Sequence, residues 1–200
     1  MQRFLPISPG HHEKQDQLLE FAQEFASAGG RMLLLRELHL SATSLEQLVE
    51  SILPFLPEIQ VHDRIQGARE LARTGKVGLH LPAAVDPALV RGEVPGRLGV
   101  SAHSRRALLA AEEAGVDYAL LSPVYKPGSK PLDIRSLLGA WKASRVWSGV
   151  EIPVFALGGM TPPRMRACRR RGAYGAAGIT GVFESPEGPQ AALRAYLAVG

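Results

Sequence analysis

The chain carries six histidines, His11, His12, His39, His62, His80 and His103, and each lies at or just after the end of a short apolar run. Imidazole changes charge close to neutral pH, so these positions suit general acid–base chemistry. The plainer alternative is that most of them bond to loop backbone. Their spacing contains nothing like HxxxH, the kind of pattern that converges on zinc. Asp63, beside His62, is the better ligand for a hard cation such as magnesium, which takes one or two carboxylates together with substrate phosphate.

A second set of residues suits an anion. The apolar run IPVFALGG (152–159) ends in Gly158-Gly159, and Thr161-Pro162 then opens a helical stretch. A glycine pair between a buried strand and a helix lets a ligand approach bare N–H groups. The next run, GAYGAAGIT (172–180), also ends in small residues, at Thr180-Gly181. Two adjacent parallel strands ending this way form the usual phosphate cup of a (β/α)8 barrel; otherwise the glycines only make tight turns. The loop PVYKPGSK (123–130) brings Ser129 and Lys130 into reach as a lid over a phosphate, unless it is merely a solvated Lys-rich loop. Arg36, after the apolar run RMLLL, either faces the mouth as a second anion site or snorkels at its rim.

These residues need elements to position them, and strand-like and helix-like segments alternate throughout. Strands are predicted at 3–8, 31–36, 58–62, 77–81, 97–101, 117–121, 152–159 and 172–180. Helices are predicted at about 14–28, after Ser44 (with Gln47 at capping-box spacing), at 66–73, from Ser104 to Gly115, at 134–144, after Thr161, and at 189–199, with one turn near 87–90. Regular βαβα order implies a parallel sheet, open or closed. Eight units with glycine cups after the last two favour a single α/β domain over 1–200, a (β/α)8 TIM barrel. Its C-terminal face would then carry both glycine pairs.

Composition limits the partners. Hydrophobic residues make up 46% and charged residues 21%, ordinary for a globular chain, and no apolar run is long enough to span a membrane. A lone cysteine, Cys168, excludes an internal disulfide and makes a cytoplasmic location the default. The net charge of +4 is inflated by Arg164, Arg166, Arg169, Arg170 and Arg171 on one predicted helix. That cluster reads as a solvated face; aromatics do not interleave with it, so no nucleic-acid platform is expected.

Seven stretches in order resemble the thiamine-phosphate synthase and TenI (thiazole tautomerase) superfamily: LLLRE (33–37), IQVHDRI (59–65), VGLHLP (77–82), LGVSAHS (98–104), DYALLSPVYKPGSK (117–130), PVFALGGMTP (153–162) and GAYGAAGITGVF (172–183). The resemblance implies a barrel in thiamine biosynthesis that binds a thiazole phosphate or thiamine phosphate at the cup. The implied ligand-binding set is Arg36, Ser101, Ser129, Lys130, Gly158, Gly159, Thr180 and Gly181. It also implies that a synthase of this kind couples a pyrimidine diphosphate to the thiazole phosphate with Mg, with Asp63 as a metal ligand. This chain departs from the synthase pattern at His62 (Asn expected), Leu38 (Lys), Pro127 (Thr) and in HLPAAV, which lacks the second acidic ligand. A TenI-like tautomerase is therefore the first expectation. The synthase is the alternative, and a silent regulatory binder is a further one; a homo-oligomer is compatible with all three. The tautomerase's usual histidine falls at Pro123, so the acid/base is sought in His80 first, then His103, then His62. His80 alternates with Leu79 and Leu81, which turns it inward if they pack outward.

Overall fold

The computed structural model describes residues 1–10, 15–126, 139–183 and 185–199. His11, His12, Pro127, Ser129 and Lys130 lie outside these, as does the first half of the helix expected at 134–144. Eight parallel strands follow one another around a barrel: β1 (Phe4–Pro6), β2 (Met32–Leu35), β3 (Glu58–His62), β4 (Gly78–Leu81), β5 (Leu98–Ala102), β6 (Tyr118–Leu121), β7 (Val154–Ala156) and β8 (Gly175–Gly178). Neighbours pair in sequence order, β8 pairs with β1, and the ring closes between β1 and β2 through a bridge from Ile7 to Leu34. The barrel expectation is met.

Helices cover the outside: α1 (Gln15–Ser27), α2 (Ala42–Ile52), α3 (Ala68–Arg73), α4 (Arg105–Glu113), α5 (Gly139–Trp147), α6 (Pro162–Arg169), the short α7 (Thr180–Phe183) and α8 (Pro189–Leu197). Strand alternation sorts the core into two layers. Leu33, Leu35, Ile59, Val61, Leu79, Leu81, Val100 and Leu121 point out against the helices. Leu5, Ile7, Met32, Leu34, Tyr118, Leu120 and Phe155 fill the barrel. The interior is narrow, so large side chains need small neighbours: a Cβ on Gly99 would collide with the Tyr118 ring on the next strand.

Several boundaries differ from the sequence reading. α2 is capped by Ser41, not Ser44; Ser41 is extended at φ −71°, ψ 164°, and its hydroxyl accepts the Ser44 N–H. The predicted seventh and eighth strands lose their ends, because Gly158, Gly159 and Gly172 have positive φ and turn the chain out of the ladder. Thr180 opens α7 rather than ending a strand. A further helical turn, Arg91–Glu93, follows the one at Pro87–Leu89.

Candidate functional site at the barrel mouth

The C-terminal ends of the strands gather most of the expected residues. His62 ends β3 and stands in register with His80 on β4, their rings 6.0 Å apart. His80 does turn inward. Its Nδ1 lies 3.0 Å from the Tyr118 hydroxyl and its Nε2 3.0 Å from Ser101 Oγ on β5. It is 1% exposed. Burial, and then the neighbouring His62, push its pKa down to about 3. Burial also lowers His62 to about 4, helped by the charges of Arg36 and Arg64 and opposed by Asp63. His62 Nδ1 accepts the Arg64 N–H. Neither ring titrates near neutral pH, which is what an acid–base role for His80 required. The sequence placed the residue but not its desolvation.

His103, just past β5, sits differently. Its Nδ1 is 2.7 Å from the Ser122 carbonyl oxygen, which accepts a hydrogen bond from it, and the ring is exposed. Ser122 directly follows β6, beside Pro123, the position where a tautomerase histidine was sought. The imidazole therefore reaches that turn from the neighbouring strand, with Nε2 left at the mouth.

The magnesium expectation can be tested on Asp63. Arg69, on α3, grips both carboxylate oxygens, Nε to Oδ1 at 2.6 Å and Nη2 to Oδ2 at 3.1 Å. No group of three His, Cys, Asp or Glu that could hold a metal exists among the described residues. Magnesium needs free carboxylate oxygens in octahedral array, so the side chains described do not fit it. Arg36 is fixed at the rim, its backbone N–H donating to Ser8 Oγ and its Nη2 to the Pro9 carbonyl. Its Nε is buried with no hydrogen-bond partner among the described residues. Glu37, buried beside it, accepts the Gly10 N–H. Leu38 is exposed.

The cup after β7 and β8 is built more tightly than the sequence suggests. Gly158 and Gly159 have φ of +103° and +54°. The space beside them is taken by backbone after β6: the Tyr125 N–H donates to the Gly158 carbonyl, and a Cβ on Gly159 would collide with the Lys126 carbonyl. On the other side, a Cβ on Gly181 would lie 2.6 Å from the Tyr196 hydroxyl and 2.9 Å from the Met160 carbonyl. Tyr196, from α8, donates to that same carbonyl. The β7 and β8 loops thus touch and are tied from beneath. The N–H groups of Gly159, Thr180 and Gly181 have no acceptor among the described residues. Sequence reasoning missed Arg69, Tyr118 and Tyr196. Only Tyr118 left a trace there, as the residue that the period of its strand turns inward.

A family model described as thiamine monophosphate synthase matches residues 4–182. The chain belongs to that family. A "Putative thiamine-phosphate synthase 2" of Aquifex aeolicus is 31% identical, covering 84% of this chain and 91% of that one. A "Putative thiamine-phosphate synthase" of Geobacter sulfurreducens is also 31% identical, covering 96% and 92%. A solved "thiamine phosphate pyrophosphorylase" from Pyrococcus furiosus has a similar fold, at TM-score 0.81 with 18% identity, over 98% of this chain and 94% of that one. These names favour the synthase over the tautomerase expected first. No helix among the described residues is long and apolar enough to cross a membrane.

Proposed function

We propose that this member of the thiamine-phosphate synthase family binds a thiazole phosphate, with the phosphate in the cup between β7 and β8. The observations that carry this reading are that the two loops touch at Met160 and Gly181 and that the N–H groups of Gly159, Thr180 and Gly181 at their turns have no acceptor among the described residues. The names of the relatives support coupling as the reaction. The thiazole nitrogen attacks the methylene carbon of a pyrimidine diphosphate, the carbon–oxygen bond breaks, and its electron pair leaves with pyrophosphate. This reading assigns the leaving group to Arg36, a cation whose buried Nε is unpaired among the described residues. Incubating the protein with both substrates, with and without magnesium, and measuring pyrophosphate tests the reading. No pyrophosphate under either condition rules coupling out.

A second reading, isomerisation of a thiazole carboxylate phosphate, is favoured by one observation. His103 holds its ring against Ser122 and leaves Nε2 for proton transfer. In that reading it takes the place first expected of His80. Conversion of the thiazole substrate alone, followed by its absorbance, separates the two reactions. Tight thiazole phosphate binding with neither turnover would mean a regulatory binder.

A further inference from the structure

The barrel interior holds a polar chain that neither reading uses. It runs from the Tyr118 hydroxyl through His80 to Ser101 Oγ, with both links at 3.0 Å. Tyr118 is completely buried and His80 nearly so, whereas Ser101 reaches the half-exposed mouth. We infer that Tyr118 and His80 are positioning residues that make Ser101 a hydrogen-bond donor to the anionic ligand. The inference rests on the proposed ligand lying at this mouth.

The direction of the chain follows from counting protons. Burial raises the Tyr118 pKa, so the phenol keeps its proton. Burial holds His80 neutral, so its ring carries one N–H. Among the described residues the Tyr118 hydroxyl has a single partner, His80 Nδ1. A buried O–H without an acceptor is strongly unfavourable, so Tyr118 donates and Nδ1 accepts. The ring proton then sits on Nε2 and is donated to Ser101 Oγ. That hydroxyl has no other partner among the described residues, so its own proton is free for the mouth. The opposite tautomer would have Ser101 donate inward and show an anion only lone pairs. A phenol at the barrel centre therefore decides whether the hydroxyl at the mouth attracts or repels a phosphate or diphosphate oxygen.

The test has two arms, both on the full chain. Nitrogen-15 NMR of labelled histidine should show His80 as the Nε2–H tautomer in the wild-type protein and as a mixture in Tyr118→Phe. In calorimetry with inorganic pyrophosphate and with thiazole phosphate, Tyr118→Phe should weaken binding of one or both about three- to tenfold, the worth of one hydrogen bond. In a Ser101→Ala background the same substitution should cost nothing more. An equal loss in both backgrounds would mean that Tyr118 acts only by packing, and would overturn the inference. So would an Nδ1–H tautomer in the wild-type protein, which needs no variant to fold. If that tautomer appears while thiazole phosphate binds normally, the proposed function stands without the inference. If the wild-type protein binds neither anion, the ligand reading falls, and Ser101's role with it, whatever the tautomer.

Discussion

Arg69 Nε stands 2.6 Å from Asp63 Oδ1, and Nη2 stands 3.1 Å from Oδ2, so one guanidinium occupies both oxygens of the acidic residue at the mouth. Asp63 is nearly buried and Arg69 is 40% exposed, so the pair is partly screened, and its loss should change stability by no more than ~1 kcal/mol. The effect on cations should be larger. Arg69→Ala should create or strengthen magnesium binding severalfold in calorimetry, and Asp63→Asn should abolish the gain. Identical magnesium isotherms for Arg69→Ala and the wild-type protein would show that Asp63 does not ligate the ion even when released.

The two depressed histidines make stability depend on pH. Unfolded, each binds a proton near 6.5; folded, His62 does so only near 4 and His80 only near 3. The unfolded chain therefore takes up more protons over this window. Their contribution is complete above about pH 6.5 and is lost as pH falls, toward about 4 for His62 and about 3 for His80. For fully buried His80 the slope approaches about 1.4 kcal/mol per pH unit; His62, partly exposed, adds a screened share. Urea midpoints should drop from pH 7 to pH 5, and His80→Gln should flatten that dependence. A variant as pH-sensitive as the wild-type protein would place the effect elsewhere.

Gly159 tests the cup. At φ +54° a side chain is strained by ~1 kcal/mol or more, and its Cβ would also strike the Lys126 carbonyl. Gly159→Val should lower the melting temperature and weaken thiazole phosphate binding tenfold or more, since the β6 and β7 loops must part. Gly29→Ala is the control: φ is +89° but nothing lies within 4 Å, so stability should fall while affinity holds. Equal affinity in the Gly159 variant would separate the glycine pair from the ligand.

His103 separates the two reactions. If the chain isomerises a thiazole ring, His103→Gln should reduce kcat by about 10²-fold, with phosphate affinity nearly intact. His80→Gln should instead act through Ser101 on binding. Full turnover in His103→Gln would clear it of proton transfer.

Tyr196 ties the cup from beneath. Tyr196→Phe removes the hydrogen bond to the Met160 carbonyl and leaves that acceptor buried against Gly181, costing about 1 kcal/mol in urea denaturation. An unchanged midpoint would mean that packing alone holds the two loops together.

The architecture was legible in the sequence because local pattern dictates it. Apolar runs with glycine ends, alternating with capped amphipathic stretches, leave a parallel sheet with helices outside as the way to bury both. The same period turned His80 inward between Leu79 and Leu81. What sequence could not reach depended on how separate elements pack against one another. Arg69 meets Asp63 because α3 folds back over the end of β3. His103 meets Ser122 because two strands pair, and Tyr196 reaches Met160 because α8 packs beside the loop after β7. The pKa of a histidine is likewise set by how completely neighbouring strands exclude water, and no neighbour in the chain encodes that. Sequence thus determined which residues arrive at the mouth; tertiary structure decided which were free to act there, because desolvation and pairing are properties of the assembled barrel.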